Sequence, residues 1–174
     1  MLKLQGEHIY LRAIEPKDLD FLYELENNPS VWEISGTITP YSKHVLKSYL
    51  DNAHRDVYEV KQLRLCICDD GGTMGLIDLF DFDPKNSRAG IGVVIIDKKN
   101  RNKGVGAEVI SLVCNYAFES LNLRQLYANV IEDNAGSLHL FKKLGFIEVG
   151  VKKDWIYSEG KYKNEILLQK INKK

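Results

Sequence analysis

Cysteine is scarce in this chain. Cys66, Cys68 and Cys114 are the three, an odd count with no C-x-x-C pair. That argues against a disulfide-framework domain and a cysteine zinc site, and it fits a reducing compartment. Cys66 and Cys68 stand two apart in an apolar run, so in a strand they share one face and should be buried. His8, His44, His54 and His139 make no H-E-x-x-H or Cys/His pattern, so no metal is expected. Long apolar runs are also missing: none approaches the roughly 20 residues that span a bilayer. Met1–Gly6 is too short and polar for a signal peptide. The expectation is a cytoplasmic protein with no membrane partner.

Net charge is absent too, with 24 Lys and Arg against 24 Asp and Glu. No global field draws the molecule to nucleic acid, and no recognition motif for it is present. The balance is uneven along the chain. Residues 1–97 hold 10 basic and 16 acidic side chains, a net of −6; residues 98–174 hold 14 and 8, a net of +6. Such halves could suit a cationic substrate and an anionic cofactor, or could be solvated surface. What is present is an ordinary globular composition, 44% hydrophobic and 28% charged over 174 residues, read as one domain spanning 1–174.

Hydrophobic spacing outlines the elements. His8–Ala13 alternates as a strand. Pro16 opens a helix with Leu19, Leu22 and Leu25 on one face, ending at Asn27-Asn28-Pro29. Val31–Thr39 reads as a loop and Tyr41–Ala53 as a helix with a stripe of Val45, Leu46, Tyr49 and Leu50. Leu63–Cys68 and Thr73–Phe80 flank the turn Asp69-Asp70-Gly71-Gly72 as a hairpin. Ala89–Ile96 is apolar throughout, as in a strand covered on both faces. Gly104–Ser120 is helical, with Val109, Ile110, Leu112, Val113, Tyr116 and Ala117 inward. Gln125–Ile131 is a strand, and Asn134 caps a helix ending near Leu144 with Gly145 beyond it. Phe146–Tyr157 and Tyr162–Lys170 are the last strands. The fold class is α/β, a mixed central sheet of about six to seven strands flanked by about four helices.

The chemistry-bearing segment is Ile91–Ile96 followed by Arg101-Asn102-Lys103-Gly104-Val105-Gly106-Ala107. A buried strand runs through a loop into a helix whose first N–H groups have no intrahelical partner. Those donors and the helix dipole make an anion site. Gly104 and Gly106 remove Cβ atoms where a phosphate would approach, and Arg101 and Lys103 add charge. The segment is no P-loop, and Val109 stands where a dinucleotide fingerprint needs its third glycine. Helix-entry glycines serving backbone geometry alone remain the alternative.

The segment resembles the Q/R-x-x-G-x-G/A motif of the GNAT superfamily of N-acetyltransferases. Asn134 through Phe146 resembles that family's second signature, N-x-x-A/S-x-x-x-Y/F-x-x-x-G-F. Ile9-Tyr10-Leu11-Arg12 with Asp18-Leu19 resembles its opening. Gly160-Lys161-Tyr162 resembles the closing hairpin of the subgroup holding ribosomal-protein N-terminal and bacterial spermidine acetyltransferases. The resemblance covers nearly the whole chain, in order.

It implies a single GNAT-like domain using acetyl-CoA as co-substrate. The pantetheine arm would lie along Val94, Ile95 and Ile96, and the pyrophosphate on the backbone of Arg101 through Ala107. Asn134 and Ser137 would be cofactor contacts, with Asn134 also free to act as a helix cap. Phe141 occupies the position where many members place a tyrosine acid, and it has no proton to give. Some relatives carry a glutamate base near the positions of Gly90 and Ile91, so Asp78 and Asp81 are the nearby candidates. Glu33 is a candidate for holding a substrate cation, and Trp32 for walling the acceptor pocket. Trp32 and Trp155 otherwise read as hydrophobic anchors, and His139 as packing or surface. The expected reaction is direct attack by a primary amine, most suitably a polyamine such as spermidine. The alternatives are a protein N-terminal amine and a non-catalytic acyl-CoA-binding module. A small-molecule amine partner and a homo-oligomer are the expected associations.

Overall fold

The computed structural model describes residues 4–96 and 104–173. β1 (Tyr10–Ala13) leads through a 3-10 turn at Pro16–Asp18 into α1 (Leu19–Glu26). Asp18 fastens that entry. Arg12 donates to both of its carboxylate oxygens at 2.7 Å, and the Glu15 N–H donates to one of them at 2.8 Å.

Val31–Thr39, expected as a loop, is helical in its first part and a loop only after Ser35: Pro29–Ser35 forms α2. The Asn28 side chain accepts from the Ser30 N–H, and Pro29 takes the first helical position, where a missing N–H costs nothing. The proline that ends one helix therefore opens the next. α3 (Lys43–Asp51) is capped by Ser42, and α4 (Val57–Val60) is a single turn too short to show a period. The described residues thus hold six helices rather than about four.

β2 (Leu63–Asp69), β3 (Gly72–Asp83) and β4 (Arg88–Ile95) form an antiparallel meander. α5 (Val105–Glu119), β5 (Gln125–Ile131), α6 (Ala135–Lys143), β6 (Ile147–Ser158) and β7 (Lys161–Ile171) follow. The seven strands make one sheet in the order β1-β2-β3-β4-β5-β7-β6. Only β4 and β5 run parallel.

Strand alternation sends side chains to two separate cores. Leu65, Ile67, Ile77, Leu79 and Ile91 pack under α5 and α6, against Val109, Ile110, Val113 and Phe141. Cys66, Cys68 and Leu76 face the other way, against Leu22 and Leu25 of α1, Val31 of α2, and Leu46 and Leu50 of α3. Both cysteines are buried as thiols, and burial pushes the Cys66 thiol up to about 12. No helix among the described residues is long and apolar enough to cross a membrane.

Candidate active site

The site begins where two strands part. β4 and β5 pair only from Arg88↔Gln125 to Gly90↔Tyr127. Beyond that rung β4 stays with β3 as far as Gly75↔Ile95, and β5 stays with β7 as far as Ile131↔Glu165. The sheet therefore splits along its middle. A cavity of about 660 Å³ fills the split.

The cavity is lined from both faces of the sheet. Glu33, Ile34 and Gly36 on and after α2, and Leu46 and Tyr49 of α3, wall one side. Asn134, Ser137 and Phe141 at α6 wall the other. Ile91–Val94 of β4 and Asn129–Ile131 of β5 form the two lips of the split. Asn134 is a helix cap, its side chain accepting from the Ser137 N–H at 3.2 Å. Phe141 is buried, with its ring edge-on to Phe146 at 5.0 Å.

Four carboxylates stand on the walls: Glu26, Glu33, Asp78 and Glu165. Arg64 binds two of them. Its Nε and Nη2 fork onto Asp78 at 2.7 and 3.1 Å, and its Nη1 donates to Glu26 at 2.8 Å. Burial opposes the charge on Arg64, but Asp78 and Glu26 outweigh it and hold its pKa above the ordinary value. The guanidinium also lies 5.6 Å from the centre of the Tyr49 ring, whose phenol burial pushes up. Glu33 accepts from Lys163 at 2.5 Å, which holds its carboxyl below the usual range. Glu165 pairs with Lys152 at 2.6 Å.

Of the residues expected to meet the cofactor, Val94, Asn134 and Ser137 line the cavity. Ile95 and Ile96 lie past its lip, against the α5 core and the α1–α3 core respectively. Arg101, Asn102 and Lys103 lie outside the described residues. Gly104 caps α5 with φ 81°, a left-handed conformation suited to glycine. Glu108 N–H donates to the Gly104 C=O at 3.0 Å, and among the described residues no backbone acceptor outside the helix takes the N–H groups of Val105, Gly106 or Ala107. The missing Cβ of Gly106 has another use. It would lie 2.9 Å from Leu140 Cδ2, so the glycine lets α5 approach α6.

Among the acceptor candidates, Asp78 and Glu33 reach the cavity and the others do not. Asp81 is exposed in the bulge that follows Phe80, with φ 48°, and accepts from the Tyr127 hydroxyl at 3.3 Å. Trp32 lies off the cavity wall, and its indole N–H donates to the Glu26 carbonyl at 2.8 Å, tying α2 to α1. Trp155, expected as an anchor, is exposed, with Lys152 Nζ 5.0 Å from its ring centre. His139 is exposed. Among the described residues no group of three His, Cys, Asp or Glu is placed to hold a metal.

Glu26, Arg64, Phe80 and Glu165 also line the cavity and were not singled out from the sequence. The alternation Leu76, Asp78, Phe80 along β3 was the available signal for Phe80.

The acetyltransferase (GNAT) domain model matches residues 8–147. The spermidine N(1)-acetyltransferase of Escherichia coli (strain K12) is 30% identical over 158 residues, covering 91% of this chain and 83% of that protein. YdaF of Bacillus subtilis (strain 168), a protein named for ribosomal N-acetylation, is 26% identical over 89% of this chain and 86% of its own length. The crystal structure of Vibrio cholerae spermidine N-acetyltransferase with CoA and spermine superposes with a TM-score of 0.86 at 24% identity, covering 95% of this chain and 96% of that one. With the motif order, the split sheet and the domain match agreeing, the chain belongs to the GNAT acetyltransferase family and is an acetyl-CoA-dependent N-acetyltransferase.

Proposed function

We propose that the enzyme acetylates a primary amine of a small polyamine such as spermidine. The supporting observation is the cavity in the split sheet, lined from both faces and walled by Glu26, Glu33, Asp78 and Glu165. Three basic side chains, Arg64, Lys152 and Lys163, bind these four acids. A cationic acceptor suits such walls better than a neutral or anionic one.

Acetyl-CoA enters from the α5–α6 side. Its pantetheine runs beside Val94, Ile95 and Ile96, its pyrophosphate meets the backbone from Arg101 to Ala107, and Asn134 and Ser137 flank its thioester end. The amine enters from the α2–α3 side. Its uncharged nitrogen attacks the thioester carbonyl, the C–S bond breaks, and the proton lost by nitrogen ends on the CoA sulfur. Asp78 is already forked by Arg64, so it holds the acceptor's ammonium groups rather than taking the proton. Water in the cavity carries the proton, and Phe141 leaves the thiolate without a side-chain acid. Positioning of the two reactants supplies most of the acceleration. A second copy of the chain covers the β6 edge, where Ile147, Val149, Trp155 and Tyr157 are exposed; sedimentation above the 19.9 kDa monomer mass checks this.

The rival acceptor, a protein N-terminal amine, carries one charge where spermidine carries three. Comparing kcat/KM for spermidine with that for short unblocked peptides tests the assignment. A clear preference for spermidine supports it, and a preference for peptides overturns it.

A further inference from the structure

Lys163 stands out among the buried charges. It lies on β7 opposite Ile156 and is 5% exposed. Carboxylates from three other places converge on its ammonium. Glu33 of α2 lies at 2.5 Å, Asp133 of the β5–α6 corner at 2.8 Å and Glu159 of the β6–β7 turn at 3.8 Å. Asp133 and Glu33 hold the ammonium's pKa above the ordinary lysine value. Glu33 also accepts from Ser158.

Two of these carboxylates connect Lys163 to opposite walls of the cleft, Glu33 as a lining residue and Asp133 as the neighbour of one. Glu33 stands on the α2 wall, on the acceptor side. Asp133 immediately precedes Asn134, which caps α6 on the cofactor side. The next residue of β7 fastens the same corner. The Asn164 N–H and side-chain amide donate to Glu132 at 2.8 and 3.0 Å, and the Glu132 N–H donates back to the Asn164 carbonyl at 3.0 Å. The corner is thus held firmly to β7, and Lys163 extends that hold to α2.

We propose that Lys163 is a positioning residue for acetyl transfer, tying the acceptor wall at α2 to the cofactor wall at α6 so that amine and thioester meet in register. The role rests on the two-sided use of the cleft proposed above. Lys163 acts through Glu33 and Asp133 and does not touch the reacting atoms. A charge buried only for stability would also need partners, but it would not need them on both walls of the split.

The test uses Lys163→Met, Lys163→Arg, Glu33→Gln and the Lys163→Met/Glu33→Gln double variant in the whole protein. Lys163→Met should lower kcat by about ten- to a hundredfold, the scale of a misplacement near 1 Å, with acetyl-CoA affinity nearly unchanged. Lys163→Arg should restore most of the rate, and the double variant should be no slower than Lys163→Met. Additive losses, or a kcat near wild type in Lys163→Met, overturn the proposal. If Lys163→Met does not fold, Glu33→Gln carries the same rate prediction from the partly exposed end of the pair. Hydrogen exchange on the free protein needs no acceptor. Faster exchange over residues 29–37 in the Lys163→Met or Glu33→Gln variant supports the tether, and unchanged protection overturns it whichever amine the enzyme uses.

Discussion

Phe80 and Gly90 face each other across β3 and β4, and the Phe80 ring fills the space a Gly90 side chain would need: a Cβ there would lie 2.3 Å from ring carbons. The ring also meets Tyr127 edge-on at 5.8 Å, at the last rung before β4 and β5 part. A side chain at position 90 would have to displace this ring, and Asp78, two residues from Phe80 on the same strand, is the carboxylate of β3 that lines the split.

Gly90→Ala should therefore destabilise the protein by about 1–3 kcal/mol through overpacking. At this size each kcal/mol lowers Tm by roughly 2–4 °C. Adding Phe80→Ala should make the alanine at position 90 nearly free of cost. Urea unfolding of the two single variants and the double one measures the coupling, and additive losses would show that the two residues do not share the space.

The Arg64–Asp78 fork separates acceptor binding from cofactor binding. Asp78→Asn should raise the acceptor KM while leaving acetyl-CoA affinity unchanged, with a loss of about 1.5–3 kcal/mol for a charge-assisted hydrogen bond. Arg64→Met leaves Asp78 and Glu26 buried without their cation and should cost about 3–5 kcal/mol of stability. Steady-state kinetics and denaturant unfolding check the two effects independently.

This fork also shows where the sequence stops being readable. The Asp69–Gly72 turn and the flanking apolar runs fix the hairpin, and counting back from Cys68↔Thr73 sets Arg64 opposite Ile77. A bulge between Ile67 and Cys68 shifts the register by one, and Arg64 faces Asp78 instead. One extra residue thus decides which face holds the ion pair, and no composition signal marks it. Pro29 failed for a different reason: the same residue ends helices and begins them. The Lys163–Glu33 pair spans 130 residues, beyond any local pattern. By contrast, β4, the entry to α5 and the start of α6 were legible because their signals are local: an apolar strand, a glycine helix entry and an asparagine cap.

Gly104→Val should weaken acetyl-CoA binding and lower stability by about 1–2 kcal/mol, since φ is 81° and the residue gains a branched side chain in a left-handed conformation. Among the described residues no atom beyond the chain neighbours lies within 4 Å of the added Cβ. Calorimetric titration with acetyl-CoA reads the effect; unchanged affinity would remove the pyrophosphate from this helix entry.

Stability in acid should depend on Asp18. The Arg12 fork lowers its pKa from 3.8, so its folded value lies below its unfolded one. The contribution is then fully present above about pH 4 and fades as pH falls through the folded value. Asp18→Asn should lower stability at neutral pH and flatten its decline below pH 4. Unfolding curves between pH 2 and pH 7 test this, and an unchanged acid slope would show that the fork does not carry it.

Free thiol release from acetyl-CoA in the presence of spermidine, spermine, putrescine, lysine, short peptides and aminoglycosides tests the whole account most directly. Saturable release with the polyamines, strongest for spermidine, is the expected result. Acetyl-CoA binding by calorimetry with no thiol release for any polyamine would contradict it.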